Sequence, residues 1–244
     1  MISDAWTMMT KEWREYFAPG GSRRGGVVST LIFVGIFGIF LPFEFGRGFV
    51  DSFFGVFYYG ITVPLSMVMG VIADAFAGER ERHTLETLLA SRLSDRSIIL
   101  GKLGAAVVYS WVLSVGTSLV AAAVSNLKAG GAFRFYTPGI FISIVVVSLL
   151  VSVFYASLGV LLSLRATTVR QVQQTLSVAF VVVLVVPVLV FQALSPHTRQ
   201  QFALWALSHL TQVGLIAGVV LAVVDVILFG LSLVRFRRSR LILA

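Results

Sequence analysis

Six stretches without an acidic or basic side chain constrain this chain more than anything else in it. They run from Val27 to Phe43, Ser52 to Ala73, Leu103 to Leu127, Phe135 to Leu164, Gln171 to Thr198, and Gln200 to Val224; the last continues past Asp225 to Val234. About 20 mostly apolar residues cross the hydrocarbon core of a bilayer as a helix, which satisfies its own backbone polar groups there. The runs predict an all-α polytopic membrane protein, a single transmembrane domain over 1–244. Its transmembrane helices fall at 27–43, 52–77, 98–124, 138–164, 174–194 and 211–234, the first being the shortest. Between the fifth and sixth, the polar SPHTRQQ must return to an aqueous surface. Composition agrees: only 12% of residues are charged, against about 25% in a typical soluble domain. No hydrophilic stretch is long enough for a separate soluble domain, and the polar, aromatic first 17 residues do not read as a cleaved signal peptide.

Lysine and arginine set the orientation. With both termini on one side, that side holds Lys11, Arg14, Arg23, Arg24, Arg80, Arg82, Arg92, Arg96, Lys102, Arg165, Arg170, Arg235, Arg237, Arg238 and Arg240. The other side keeps Arg47, Lys128, Arg134 and Arg199 of the 19 basic residues. The positive-inside rule then predicts cytoplasmic termini. The net charge of +8 is accounted for in this way, scattered between apolar runs, and no nucleic-acid partner is expected.

Ahead of the first run, Trp6, Met9, Trp13 and Phe17 recur at helical spacing in SDAWTMMTKEWREYF. This predicts an amphipathic helix over 3–17, lying in the membrane interface with its aromatics at headgroup depth; an ordinary soluble amphipathic helix is the alternative. Near the other end, HTRQQFALWALSHL reads either as a short interfacial or re-entrant helix or as a loose loop. Pro64 and Pro187 should kink the second and fifth helices, freeing backbone carbonyls that neighbouring helices must satisfy. Gly214 and Gly218 form a lone G-x-x-x-G, a weak sign of close helix contact.

The most charged stretch is GERERHTLETLLASRLSDRSIILGK, on the predicted cytoplasmic side, with a loop over 79–97. Its Leu85, Leu88, Leu89 and Leu93 make one apolar stripe at helical spacing, with Glu79, Arg80, Glu81, Arg82 and Glu86 around it. Thr84 is placed to cap that short helix, and Ser94 or Asp95 to cap the next. Such a helix docks into a partner's groove by leucine burial, with charges setting register; the alternative is a solvated loop whose leucines touch headgroups. The stretch resembles the loop between the second and third helices of ABC transporter permeases of the exporter-like second type. Glu79 and Arg80, then Thr84, Leu85 and Glu86, then Leu88 and Leu89, then Gly101 and Lys102 occupy that family's pattern. His83 departs from its usual glycine and Arg92 from its frequent proline.

The resemblance implies a coupling helix between the second and third helices, and a permease subunit of an ATP-driven transporter. It also implies two copies of a separate ABC ATPase, and a second permease chain, either the same or a paralogue. The setting would be the cytoplasmic membrane of a prokaryote, with membrane lipids around it. ATP and Mg would be bound by the partner, with no cofactor in this chain. The residues agree, because RSIILGKL lacks the first glycine and the final hydroxyl of a phosphate-binding loop. The short outer loops fit export better than uptake from a binding protein. An ATP-independent channel or carrier is the rival reading, told apart by whether an ATPase co-purifies.

Enzyme chemistry finds no footing. The chain has no cysteine and three histidines, no G-x-S-x-G and no H-E-x-x-H, so no catalytic, cofactor-binding or metal residue is proposed. Ionisable groups at bilayer depth cost about 2.5–3.5 kcal/mol at the centre on insertion scales, so Asp74 and Asp225 need reasons. Asp74 either reaches headgroup water or pairs with a loop arginine. Asp225 should face protein, bonded to a neighbouring hydroxyl, amide or histidine, for packing rather than for gating or substrate contact.

Overall fold

Proline sets the winding of the first two membrane-length helices. The computed structural model, which describes residues 2–17, 24–50, 54–84, 90–129 and 132–236, begins with α1 (Ile2–Phe17) and α2 (Arg24–Val34). α2 passes into a π-helical stretch, Gly35–Phe40, and then α3 (Leu41–Phe45), with Pro42 in its first turn. The second helix repeats the device: π-helical Val56–Thr62 leads into α4 (Val63–Ala73), with Pro64 in its first turn. Proline lacks an N–H and its ring presses on the carbonyl four residues back; a wider turn just before it relieves both. At Pro64, where the sequence predicts a kink, the structure has this change of winding, and the helix Val169–Ala193 further on runs unbroken through Pro187. A third π-helical stretch, Asp74–Gly78, precedes the single turn α5 (Glu79–Glu81).

The remaining helices start on identifiable signals. α6 (Asp95–Ala129) is capped by Ser94, whose Oγ accepts the Ser97 N–H at 3.2 Å. α7 (Pro138–Ser163) opens on proline, whose missing N–H is no loss in a first turn. α8 (Val169–Ala193) is capped by Thr168, which accepts from the Gln171 N–H at 3.2 Å. The HTRQQFALWALSHL segment is helical as α9 (Pro196–Ser208), capped by Ser195 accepting the Thr198 N–H at 3.2 Å. α10 (Leu210–Arg235) ends the described chain.

Among the described residues, five helices are long and apolar enough to cross a membrane: Thr30–Gly48, Val56–Glu81, Asp95–Lys128, Pro138–Ser163 and Thr211–Arg235. The predicted fifth span coincides with α8, which has 25 residues and a polar start, VRQVQQT. α6 is the longest, 35 residues, or about 52 Å at 1.5 Å per residue, well beyond a hydrocarbon core of about 30 Å.

The core lies between the second, third and fourth spans. Tyr59, Val68, Ile72 and Phe76 from the second pack with Ile98, Ile99 and Ala106 of α6 and Ile144, Ala156 and Val160 of α7. Small residues allow close approach: a Cβ on Gly159 would meet Ile72 Cγ2 at 2.3 Å. Serines cross-link the same faces, with Ser110 Oγ donating to Ser152 Oγ at 2.9 Å and Ser114 Oγ to the Tyr59 carbonyl. Outside this trio the surface is apolar. On α10, Leu215 is 70% and Val226 73% exposed, which suits lipid and not water.

Candidate functional site

α1 packs along the first turns of α6. Met8 is buried there, and a Cβ on Gly101 would meet Met8 Cβ at 2.5 Å and the Ala5 carbonyl at 2.9 Å. Trp13 Nε1 donates to the Ala105 carbonyl at 3.1 Å, and the Tyr16 and Tyr109 rings lie 4.8 Å apart with their hydroxyls at 3.0 Å. The buried face of α1 is thus Met8, Met9, Glu12 and Tyr16, while Trp6 is exposed. This packing face lies beside the stripe of Trp6, Met9 and Trp13 expected at the headgroups, and Met9 belongs to both.

Glu12 sits in this face as a buried charge with a reason. Lys102, on α6, places Nζ 2.7 Å from Glu12 Oε1 and 2.9 Å from Glu79 Oε1, with all three side chains at most 5% exposed. Phe76 lies 5.3 Å under the ammonium. Lys11 adds a second cation, 3.3 Å from Glu79 Oε1 and 3.2 Å from Glu15. Burial alone would lower the Lys11 pKa, but Glu79, Glu12 and Glu15 carry it above the ordinary lysine value. Lys102 faces both buried carboxylates, and the half-exposed Lys11 supplies Glu79 with a second cation, the kind of pairing that keeping such charges out of water requires.

The three residues after Glu79 each reach a different element. Arg80 donates to the Leu164 carbonyl at 3.3 Å and to the Ala166 carbonyl, at the end of α7, where a cation complements the helix dipole. Glu81 Oε1 accepts the Val169 N–H at 2.9 Å, on the first turn of α8. Arg82 forms a two-point pair with Asp74, 2.9 and 3.2 Å; that hydrogen bond, foremost, raises the arginine's pKa. Asp74 therefore pairs with a loop arginine. It also folds over Gly78, where a Cβ would come within 1.9 Å of its Oδ1. So, within ERER, Glu79, Arg80 and Glu81 tie the second span to α1, α6, α7 and α8, and Arg82 closes back onto the span itself.

His83 follows with φ of 55°, a left-handed conformation that favours glycine. Thr84 turns back, its N–H donating to the Glu79 carbonyl at 2.9 Å and its hydroxyl at 3.3 Å, so it closes the preceding turn. Leu85, Glu86, Leu88 and Leu89, the expected docking stripe, lie outside the described residues. Leu93 is partly buried against the core.

No curated relative matches the chain. Residues 49–241, from the end of the first span to beyond α10, match the family described as ABC-2 family transporter protein. The chain belongs to that family. It is therefore a multi-pass membrane transport protein of the ABC permease kind, not itself catalytic.

Three further positions of this ABC-2 transporter differ from expectation. Asp225 is buried, 5% exposed, yet neither carboxyl oxygen finds a hydrogen-bond partner. Gly214 and Gly218 would meet nothing within 4 Å on gaining a Cβ, so their spacing marks no helix contact within the described chain. Sequence reasoning also missed Glu12. Its signal was its register, one turn from both Met8 and Tyr16.

Proposed function

We propose that the chain is the membrane-spanning permease subunit of an ATP-driven exporter in the cytoplasmic membrane. It would work as a dimer, with itself or a paralogous permease, beside two ATPase subunits that bind ATP and Mg. In this reading there are six spans, with α8 as the fifth, and both termini face the cytoplasm. α1 lies at the headgroups against the turns of α6 that project from the hydrocarbon, and residues 79–102 form the site where the ATPase pushes.

The observation that carries this reading is the ERER junction. A force applied to the loop at residues 85–93 meets Glu79 to Arg82, of which Glu79, Arg80 and Glu81 are bonded to other helices of the bundle while Arg82 braces the second span through Asp74. A loop wired in this way moves α1, α6, α7 and α8 together, as alternating access requires of a body closing against its dimer mate. The junction's carboxylates are engaged in structural contacts, Glu79 with Lys11 and Lys102 and Glu81 with the Val169 N–H.

The test is purification of the tagged chain from its own membranes in mild detergent. An ABC ATPase recovered in equal copy number, whose release abolishes ATP-driven transport in vesicles, is the expected result. A chain that purifies alone and moves solute without ATP would instead be a channel or carrier.

A further inference from the structure

The helix α10 hides a carboxylic acid that the junction does not use. Asp225 lies mid-helix in a membrane-length segment, Thr211–Arg235, whose most apolar window is only 6% buried. Against that background it is 5% exposed itself, while its neighbour Val226 is 73% exposed. α10 packs chiefly on α7, with lesser contacts to α6 and α9, so α7 provides the cover over Asp225. The seam is tight: further along, Ser232 Oγ donates to the Ser157 carbonyl at 3.3 Å.

Three side chains on these two helices have buried polar atoms without a hydrogen bond: both oxygens of Asp225, Tyr155 Oη and Ser157 Oγ. Inside lipid such groups are rarely left unmatched. Among the described residues, no cation answers the carboxyl. α7 carries no charge, and Tyr155 is its one titratable group. α6 carries Asp95, Arg96, Lys102, Tyr109 and Lys128, and α9 carries His197 and Arg199. None of these bonds Asp225. Lys102 is engaged by Glu12 and Glu79, Tyr109 by Tyr16 and Thr30, Lys128 by the Glu44 carbonyl, and Arg199 by the Gln192 carbonyl. Asp74, on the segment whose Phe76 ring packs Phe236 beyond α10, is held by Arg82.

An ionised carboxylate buried in low dielectric without a partner is strongly disfavoured, and such a group neutralises by taking a proton. A proton is also the one guest that needs no extra room in a packed seam. We propose that Asp225 is an intramembrane proton-binding site, protonated while α7 and α10 are packed together and deprotonated when that seam opens to water. The proton is taken from water and returned to water, with no other species consumed. Each opening of the seam then releases a proton and each closing takes one up, so the conformational cycle responds to pH at this residue.

The measurement is infrared spectroscopy of the chain in phosphatidylcholine vesicles at neutral pH, parent against Asp225→Asn and Asp225→Glu. The parent should show the carbonyl stretch of a protonated carboxylic acid, lost in Asp225→Asn and displaced in Asp225→Glu. Asn preserves the shape and neutrality of the protonated acid, so its thermal unfolding should stay close to the parent's. Should Asn fail to fold, the displacement in Glu decides the assignment. A parent without the band, or a band unchanged in both variants, would overturn the proposal, and neither result bears on whether an ATPase drives transport.

Discussion

Lys102 holds two carboxylates out of water, and that is a demanding position for one residue. Removing one partner of a buried ion cluster leaves an uncompensated charge, at a typical cost of about 3–5 kcal/mol. Lys102→Ala should approach that loss, read as a fall in melting temperature, with Lys11 offsetting part of it because it also reaches Glu79. Glu12→Gln placed on top should recover some stability, since one fewer buried charge is then unpaired. If Lys102→Ala melts like the parent, the cluster is not the fastening described. His83 allows a second test at the same scale. Its left-handed backbone costs a non-glycine residue about 1–2 kcal/mol, while glycine's greater freedom when unfolded takes back about 0.5–1 kcal/mol. His83→Gly should therefore be neutral to slightly stabilising, and His83→Val clearly destabilising, in the same melting assay. Lys102 and Glu79 could be singled out from the sequence because they stand in a recognisable motif. Glu12 could not, because a glutamate beside Lys11 and Arg14 reads as one more solvated charge until its place between Met8 and Tyr16 is weighed.

At the scale of elements, the membrane helices were readable because lipid tolerates so few patterns; apolar length alone locates them. What the sequence hid was rotation. The aromatics of α1 read as its interfacial side, which leaves its packing side unread: the close contact is made where Gly101 leaves room for Met8. The G-x-x-x-G of α10 misled for the matching reason, since a glycine pair shows that a helix can be approached and not that one approaches. Gly101→Ala puts a methyl group 2.5 Å from Met8 Cβ, and overpacking of this kind typically costs about 1–3 kcal/mol. It should lower the melting temperature and speed proteolysis within α1, whereas Gly214→Ala, with nothing within 4 Å, should do neither. Equal effects at the two glycines would show that α1 is not seated on α6 as described.

At the scale of the whole molecule, orientation follows from the uneven spread of basic residues. A reporter fused after Ala244 should be cytoplasmic and one inserted near Gly130 external; labelling from the opposite side at either place would refute the six-span arrangement. The larger question is whether the bundle is driven through its charged loop. The sequence supplies the leucines for that contact, and the structure supplies the wiring behind them. Leu88→Ala combined with Leu89→Ala removes apolar groups worth about 0.8 kcal/mol for each buried methylene, while leaving every bond of the ERER junction in place. The most direct measurement is ATP turnover by the chain and its ATPase in lipid vesicles, parent against this double variant. Loss of ATPase association, or of transport-stimulated turnover, in a variant that melts like the parent is the predicted result. A double variant that assembles and turns over ATP as the parent does would contradict the role of this loop as the drive point.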